Sequence, residues 1–411
     1  MKLLVSLFFL IPLLAPGTPT MPETWFNPPP RKIQIDDSSQ WILSDGKNSF
    51  AEIVVPPEAG TVAMFAGKEL QHFLKESTGA NFPIVSSRSK AKYAIRLGKN
   101  SALDTASLHR DGFFIKTSGN ELWIAGRDSL TTDMDALLKS RSGNFRNEFN
   151  FERGTLFGIY DFLERFAGVR FYFHGPVGTF VPKHKVMRIP AKTDLMDRPD
   201  CTVRNVSWVI LKQQEWYDDT NSMQGSNLNQ LRWRLQTHVI PNCHGLAWIG
   251  YRERFTKTHP EYFALMENGK RHNDSALQHT GQLCLSNKQL RNEIYEDAKS
   301  ALKGEPASVR GVVMSGYGTS IWSSPAFQPG FINIMPQDAF YKCRCPECRK
   351  YFDKGGKSAS NLIWEMTAEV ANHLKKDAIG GYVTQMGYDF YSIVPDTEIP
   401  DNVLVMLAAV E

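Results

Sequence analysis

"ASNLIWEMTAEVANHLKKDAIGGYVTQMGYDFY", from Ala359 to Tyr391, decides how the second half of this chain is read. Its first part reads as a helix and the Gly380-Gly381 pair as a break. "GYVTQMGYDFY" then reads as a strand that runs into polar residues. The same texture surrounds it. Strand-like "RNVSWVIL", "THVIP", "QLCLS", "RGVVMSG", "GFINIM" and "NVLVMLAAVE" alternate with helical "SNLNQLRWRLQ" and "NKQLRNEIYEDAKSALK". Such alternation predicts parallel βα units, as in a (β/α)8 TIM-type barrel. Too few units are present to close eight strands. The expectation for residues 200–411 is therefore an incomplete barrel, truncated at the C-terminus.

Upstream the texture is that of a small α/β domain, an α+β sandwich over residues 46–182. "AEIVVP" is strand-like, and "AMFAGKELQHFLKESTGANFPIV" is an amphipathic helix ended by Gly79 and followed by a strand. "KYAIRLG" and "GFFIKTSGNELWIAG" give a strand and a hairpin turning at Ser118-Gly119-Asn120. "FERGTLFGIYDFLERFAGVRFYF" gives a helix and a strand. The order predicted is β-α-β-β-β-α-β, with two helices on one face of a sheet. Ser129–Asn150 reads as a surface insertion. Proline-rich residues 21–45 read as a linker, as does "VPKHKVMRIPAKTDLMDRPD" (Val181–Asp200).

The start of the chain has the pattern of a signal peptide over residues 1–20. Lys2 precedes an apolar run, Leu3 to Leu14, and Ala15 and Gly17 suit cleavage. The expectation is an exported protein, periplasmic or extracellular, with no membrane span after cleavage. With 411 residues, 42% hydrophobic and 22% charged, two domains with sizeable cores are the prior. The 47 basic and 43 acidic residues are mixed, without the clustered basic face of a nucleic-acid binder. Oligomeric state is not encoded in any visible pattern.

In parallel α/β folds functional groups follow the carboxyl ends of strands. That rule selects Glu215 after "WVIL", Asn242 and His244 after "HVIP", Asp338 after "INIM", Asp389 and Tyr391 after "YVTQMGY", and Glu411 after "LVMLAAV". Glycoside hydrolysis uses two carboxyl groups flanking the scissile bond. Asp338, Asp389 and Glu215 are the catalytic candidates. His244, Asn242, Trp248 and Tyr391 are the substrate-binding ones, and Trp208 and Trp322 could also stack on sugar. His259, in "HPEYFAL", reads as a capping or packing residue.

Six cysteines are present, and three lie just past Asp338: Cys343, Cys345 and Cys348. Structural zinc takes four ligands, often with C-x-x-C spacing. The fourth would be Cys284 or a histidine. A disulfide is the competing reading in an oxidising compartment. No cofactor is otherwise required, and no cysteine–histidine pairing for nucleophilic chemistry is visible.

The motifs "AGKELQHFLKESTGANFPIV", "GTLFGIYDFLERFAGVRFYF", "HPEYFAL" with "QLCLSN", and "INIMPQDAFYKCRCPEC" resemble the bacterial proteins of the domain-of-unknown-function family 4838. The resemblance implies a glycoside-hydrolase-like secreted protein. Its small N-terminal domain would be like the one preceding the barrel in α-glucuronidases and β-hexosaminidases. The implied substrate is a polysaccharide or oligosaccharide, one bearing uronic acids among the options. A non-catalytic carbohydrate-binding surface protein is the alternative. Asp338, the three cysteines and His244 match the family's motifs. "TSIWSSPAFQPG" (Thr319–Gly330) departs from them and is expected to be a lid or subsite loop.

Overall fold

The computed structural model describes residues 30–98, 103–139, 151–173, 175–201, 204, 222–235, 240–277, 279–313 and 320–408. The signal-peptide reading, Glu215, Glu411, Trp208 and the strands expected at "RNVSWVIL" and "THVIP" (to Val239) lie outside them. No helix among the described residues is long and apolar enough to cross a membrane. The chain divides into two compact units, with the break between Val239 and Ile240.

The first unit is built on one mixed seven-stranded sheet. Its strands are β1 (Lys32–Ser44), β2 (Ala51–Val54), β3 (Ile84–Val85), β4 (Tyr93–Leu97), β5 (Phe113–Ser118), β6 (Glu121–Gly126) and β9 (Met187–Asp197). The spatial order is β1-β9-β5-β6-β4-β2-β3. Two short strands, β7 (Arg170–Phe171) and β8 (Thr179–Phe180), pair only with each other. Helices α1 (Gly60–Thr78) and α3 (Gly154–Phe166) pack on the sheet and against one another. Along α1, Val62, Ala66, Leu70, Phe73 and Leu74 are buried at helical spacing. Gly79 ends it in the left-handed region at φ 81°, donating its N–H to the Lys75 carbonyl.

Two sequence expectations change here. Residues 32–44 and 187–197, read as linker, are instead paired strands, with Ile33 opposite Leu195 and Trp41 opposite Ile189. Apolar alternation in β1 is confined to Lys32–Asp36, where Ile33 and Ile35 are exposed, and the polar run Asp36–Gln40 hides the rest of the strand. Its pairing with β9, not its side chains, makes it a strand. The boundary near residue 200 also differs. Helix α4 (Ser222–Arg232) belongs to the first unit, where Arg232 makes a two-pronged ion pair with Glu69 at 2.9 and 3.2 Å. The Tyr160 hydroxyl donates to the same carboxylate at 3.1 Å. Within the expected insertion, α2 (Met134–Lys139) buries Met134, Leu137 and Leu138.

Asp128 sits at the start of α3, where it accepts the Thr155 N–H at 2.9 Å on Oδ1, while Oδ2 is buried without a partner. Burial pushes this carboxyl up to about 7, against the bonds from Thr155 and with help from the charge of Glu152. The folded state thus holds a proton that the unfolded state has lost. Stability should fall as pH rises from the ordinary carboxyl value, 3.8, to about 7. In Asp128→Asn that part of the decline, up to a few kcal/mol, should vanish. Melting temperatures taken across this pH range would show a flatter profile than the parent's.

The second unit carries a four-stranded sheet: β10 (Phe327–Gln328), β11 (Phe331–Asn333), β12 (Tyr382–Gly387) and β13 (Val403–Leu407), in that order. β11, β12 and β13 are parallel, and β10 is antiparallel to β11. Between β11 and β12 run α7 (Pro346–Phe352) and α8 (Gly356–Lys376); α5 (Tyr251–Phe255) and α6 (Lys288–Leu302) precede them. α8 buries Leu362, Ile363, Met366, Val370 and Leu374. That stripe packs with Ile294 and Ala298 of α6 and with Ile332, Val383 and Val403 of the strands. The architecture is thus mixed α/β with a parallel βαβ unit, and the described residues do not close a barrel. "QLCLS" forms only an isolated bridge, Leu283 to Phe263. Thr319–Gly330 is not a lid in its described part. Trp322 donates to the Glu305 carbonyl at 2.7 Å, Ala326 is buried, and Phe327–Gln328 is β10.

A charge network joins α5 and α6, with Arg254 and Asp297 buried and Arg310 and Glu293 half-buried. Arg254 grips Asp297 with both nitrogens at 2.7 and 2.9 Å, and Arg310 reaches the same carboxylate at 2.9 Å. Arg310 also bonds Glu293 at 2.5 Å.

Candidate functional site

Two groupings in the second unit hold chemistry. The first lies past the carboxyl ends of β11 and β12. Segment 241–246 is fastened there by buried amides and a hydroxyl. Gly245 donates its N–H to Asn333 Oδ1 at 2.6 Å, and Asn333 Nδ2 bonds the Pro241 carbonyl at 3.4 Å and Thr384 Oγ1 at 3.0 Å. Thr384 Oγ1 donates to the same Pro241 carbonyl. The fastening forces His244 into the left-handed region, φ 49°.

The His244 imidazole is half-buried. Its Nδ1 is 2.9 Å from the Pro336 carbonyl, and its Nε2 is 3.9 Å from Asp338 Oδ1. Its pKa is raised, first by the neighbouring Cys243 side chain, then by the Pro336 carbonyl and the charge of Asp338, with burial opposing. The stabilisation from this raised value is present below the ordinary imidazole pKa and is lost as pH rises through the folded value. Asp338 is 57% exposed on its side chain and accepts the Ala339 N–H at 2.9 Å. The Gln282 amide donates to the Asp338 and Ala339 carbonyls at 2.7 and 3.1 Å, which fixes the turn below the carboxylate.

β12 delivers the rest. The Tyr388 ring meets His244 edge-on with centroids 6.4 Å apart, and Tyr391 lies 6.2 Å from Tyr388. Tyr391 is buried, and its hydroxyl is held neutral: burial raises its pKa first, then the charge of Asp389, and Tyr388, Cys243 and Asp338 push it the same way. Asp389 is exposed and, like Ala339, non-glycine at positive φ, 47° and 52°. Left-handed residues of this kind are uncommon and concentrate at functional sites. Beside Asp338, Gln337 reaches an open cleft of about 260 Å³ that Arg252, Glu253, His279 and Thr280 also line.

Of the sequence candidates, the structure brings His244 within 3.9 Å of Asp338 and sets Tyr391 next to Tyr388, the residue before Asp389. Asn242 is placed differently: its amide contacts Met406 Sδ on β13 at 3.1 Å. Trp248 and Trp322 pack half-buried against the core, and His259 stacks on Tyr262 at 4.7 Å. Sequence reasoning missed Tyr388, whose signal was its place beside Asp389.

The second grouping is made of thiols. Cys284, Cys343, Cys345 and Cys348 place their sulfur atoms within 4.8 Å of one another. None is in a disulfide, and only Cys345 is partly accessible.

The fold thus presents a parallel α/β unit with acidic, histidine and tyrosine side chains beyond its strand ends. Residues 173–315 match the family described as "Domain of unknown function (DUF4838)", the one that the sequence motifs resemble. No curated protein matches the chain. Among solved structures it is similar to a β-N-acetylhexosaminidase from Bacteroides fragilis, at 12% identity, 92% coverage of this chain and a TM-score of 0.36. It is similar to a chitobiase from Flavobacterium johnsoniae at 12% identity, 92% coverage and 0.39. It is also similar to a family GH115 4-O-methyl-α-glucuronidase with specificity for decorated arabinogalactans, at 13% identity, 89% coverage and 0.42. The chain spans 68%, 53% and 45% of those proteins respectively. At such scores the likenesses carry no assignment of activity.

Proposed function

We propose that this chain is glycoside-hydrolase-like, is exported, and has a carbohydrate as its ligand. The observation that carries the reading is the approach of His244 to Asp338, at 3.9 Å, past parallel strand ends, with left-handed backbone at His244, Ala339 and Asp389. Asp338 and Asp389 are the two carboxyl groups. His244, beside Asp338, retains its proton to higher pH than a free imidazole. Tyr388, half-buried beside His244, offers its ring to a sugar, and the buried Tyr391 backs it. Arg252, bonded to Glu253 at 2.9 Å, lines the adjacent cleft, where a uronic acid carboxylate would compete for its guanidinium.

The test is sugar release by the full-length gene product from polysaccharides and aryl glycosides, uronides included, beside Asp338→Asn. Loss of at least about 10²-fold in turnover, with the variant still folded, is the expected result. Turnover that survives the substitution removes Asp338 from the chemistry. Retention on a glycan column without turnover replaces the hydrolase with a carbohydrate-binding protein.

A further inference from the structure

The four clustered thiols remain unused by that reading. Cys284 Sγ is 3.6 Å from Cys345 Sγ and 3.8 Å from Cys348 Sγ. A disulfide needs about 2.05 Å. A tetrahedron of thiolates at a zinc–sulfur distance of about 2.3 Å has edges of about 3.8 Å. The spacing is therefore that of a ligand shell.

The surroundings fit thiolates. Leu265 and Cys348 direct backbone N–H groups at Cys343 Sγ and Cys345 Sγ, at 3.2 and 3.4 Å. Ser286 Oγ lies 3.0 Å from Cys348 Sγ and 3.6 Å from Cys345 Sγ, placed to donate its proton. Partners of this kind orient metal ligands and temper their charge. We propose that Cys284, Cys343, Cys345 and Cys348 bind one structural zinc ion. On binding, the four thiols give up their protons to solvent and the closed tetrathiolate leaves no open position for substrate. The ion ties the Cys284 segment to the start of α7. Gln282, two residues before Cys284, holds the backbone of Asp338, so the ion also steadies that loop.

The test is metal analysis of the full-length protein, with cobalt(II) replacing the ion. One zinc per chain is expected, and cobalt should give intense thiolate charge-transfer and tetrahedral d–d bands. Without chelator, alkylation should be fast at the exposed Cys201 and Cys243 and blocked at the other four thiols. Chelator should release all four together and lower the melting temperature. Cys345→Ser should lose the cobalt spectrum that Cys201→Ser retains. If Cys345→Ser does not fold, the parent's cobalt titration decides alone. A folded chain that takes up neither metal, iron in place of zinc, or a disulfide among the four by mass spectrometry would overturn the proposal.

Discussion

Asp297→Ala should destabilise the second unit by roughly 3–5 kcal/mol, a large share of what holds a domain folded. The Asp297 side chain is 1% exposed, and Arg254, which grips it, is 6% exposed. Removing the carboxylate leaves Arg254 buried beneath Tyr251 and Phe255, with Glu293 as its nearest remaining acid at 3.9 Å. Arg310 loses one of its two acidic partners at the same time. The cost is mainly that of stranded positive charge and not the worth of the pair itself. Denaturant unfolding followed by a probe in the second unit would measure it. Asp297→Leu with Arg254→Met should recover much of the loss, because the charge and its partner leave together. A loss below about 1 kcal/mol for the alanine variant would mean that water reaches Arg254 and that the network is a surface one.

Gly245→Ala should be as damaging, and its damage should centre on the candidate site. A Cβ built on Gly245 would stand 2.0 Å from the Asn333 carbonyl oxygen and 2.5 Å from its Oδ1. Those atoms belong to β11 and to an amide tied to Thr384 and Pro241, so none can step aside. Segment 241–246 must lift instead, breaking the Gly245 N–H bond to Asn333 and moving His244 away from Asp338. We expect a loss of about 3 kcal/mol or more. We also expect faster amide exchange at Gly245 and Leu246, and a His244 titration returned toward that of a free imidazole. A variant with parental stability and an unmoved His244 would show that β11 yields and that the fastening is weaker than its geometry implies.

What the sequence revealed follows from where its periodicity is strong. α1, α3, α6 and α8 each bury an apolar stripe, and the hairpin turns at Gly119 and Asn120, so local pattern and tertiary role agree. β1 and β9 were hidden because β1 is mostly exposed and β9 contains Pro190, which reads as a breaker. The attachment of α4 through Arg232 and Glu69 has no local signature, since the partners are 163 positions apart. At the candidate site, the strand-end rule alone picked out His244 and Asp338, which the fold brings within 3.9 Å of each other. The grip of Gln282 on the Asp338 turn was not, because loop contacts have no period. Of the options for a fourth sulfur-cluster member, the structure selects Cys284 over a histidine.

The place of β9 also sets a timetable. It lies between β1 and β5, so β1, among the first residues described, has no neighbour in the sheet until β9 is made. At about 5–20 residues per second, a ribosome needs roughly 7–30 s to go from the end of β1 to the end of β9. Throughout that interval β1, with Ile33, Ile35 and Ile42 along it, is an unpaired strand open to other chains. The vulnerable stage of this protein's life is therefore its synthesis, and variants that slow or weaken β9 should be lost to aggregation before they are ever measured as unstable.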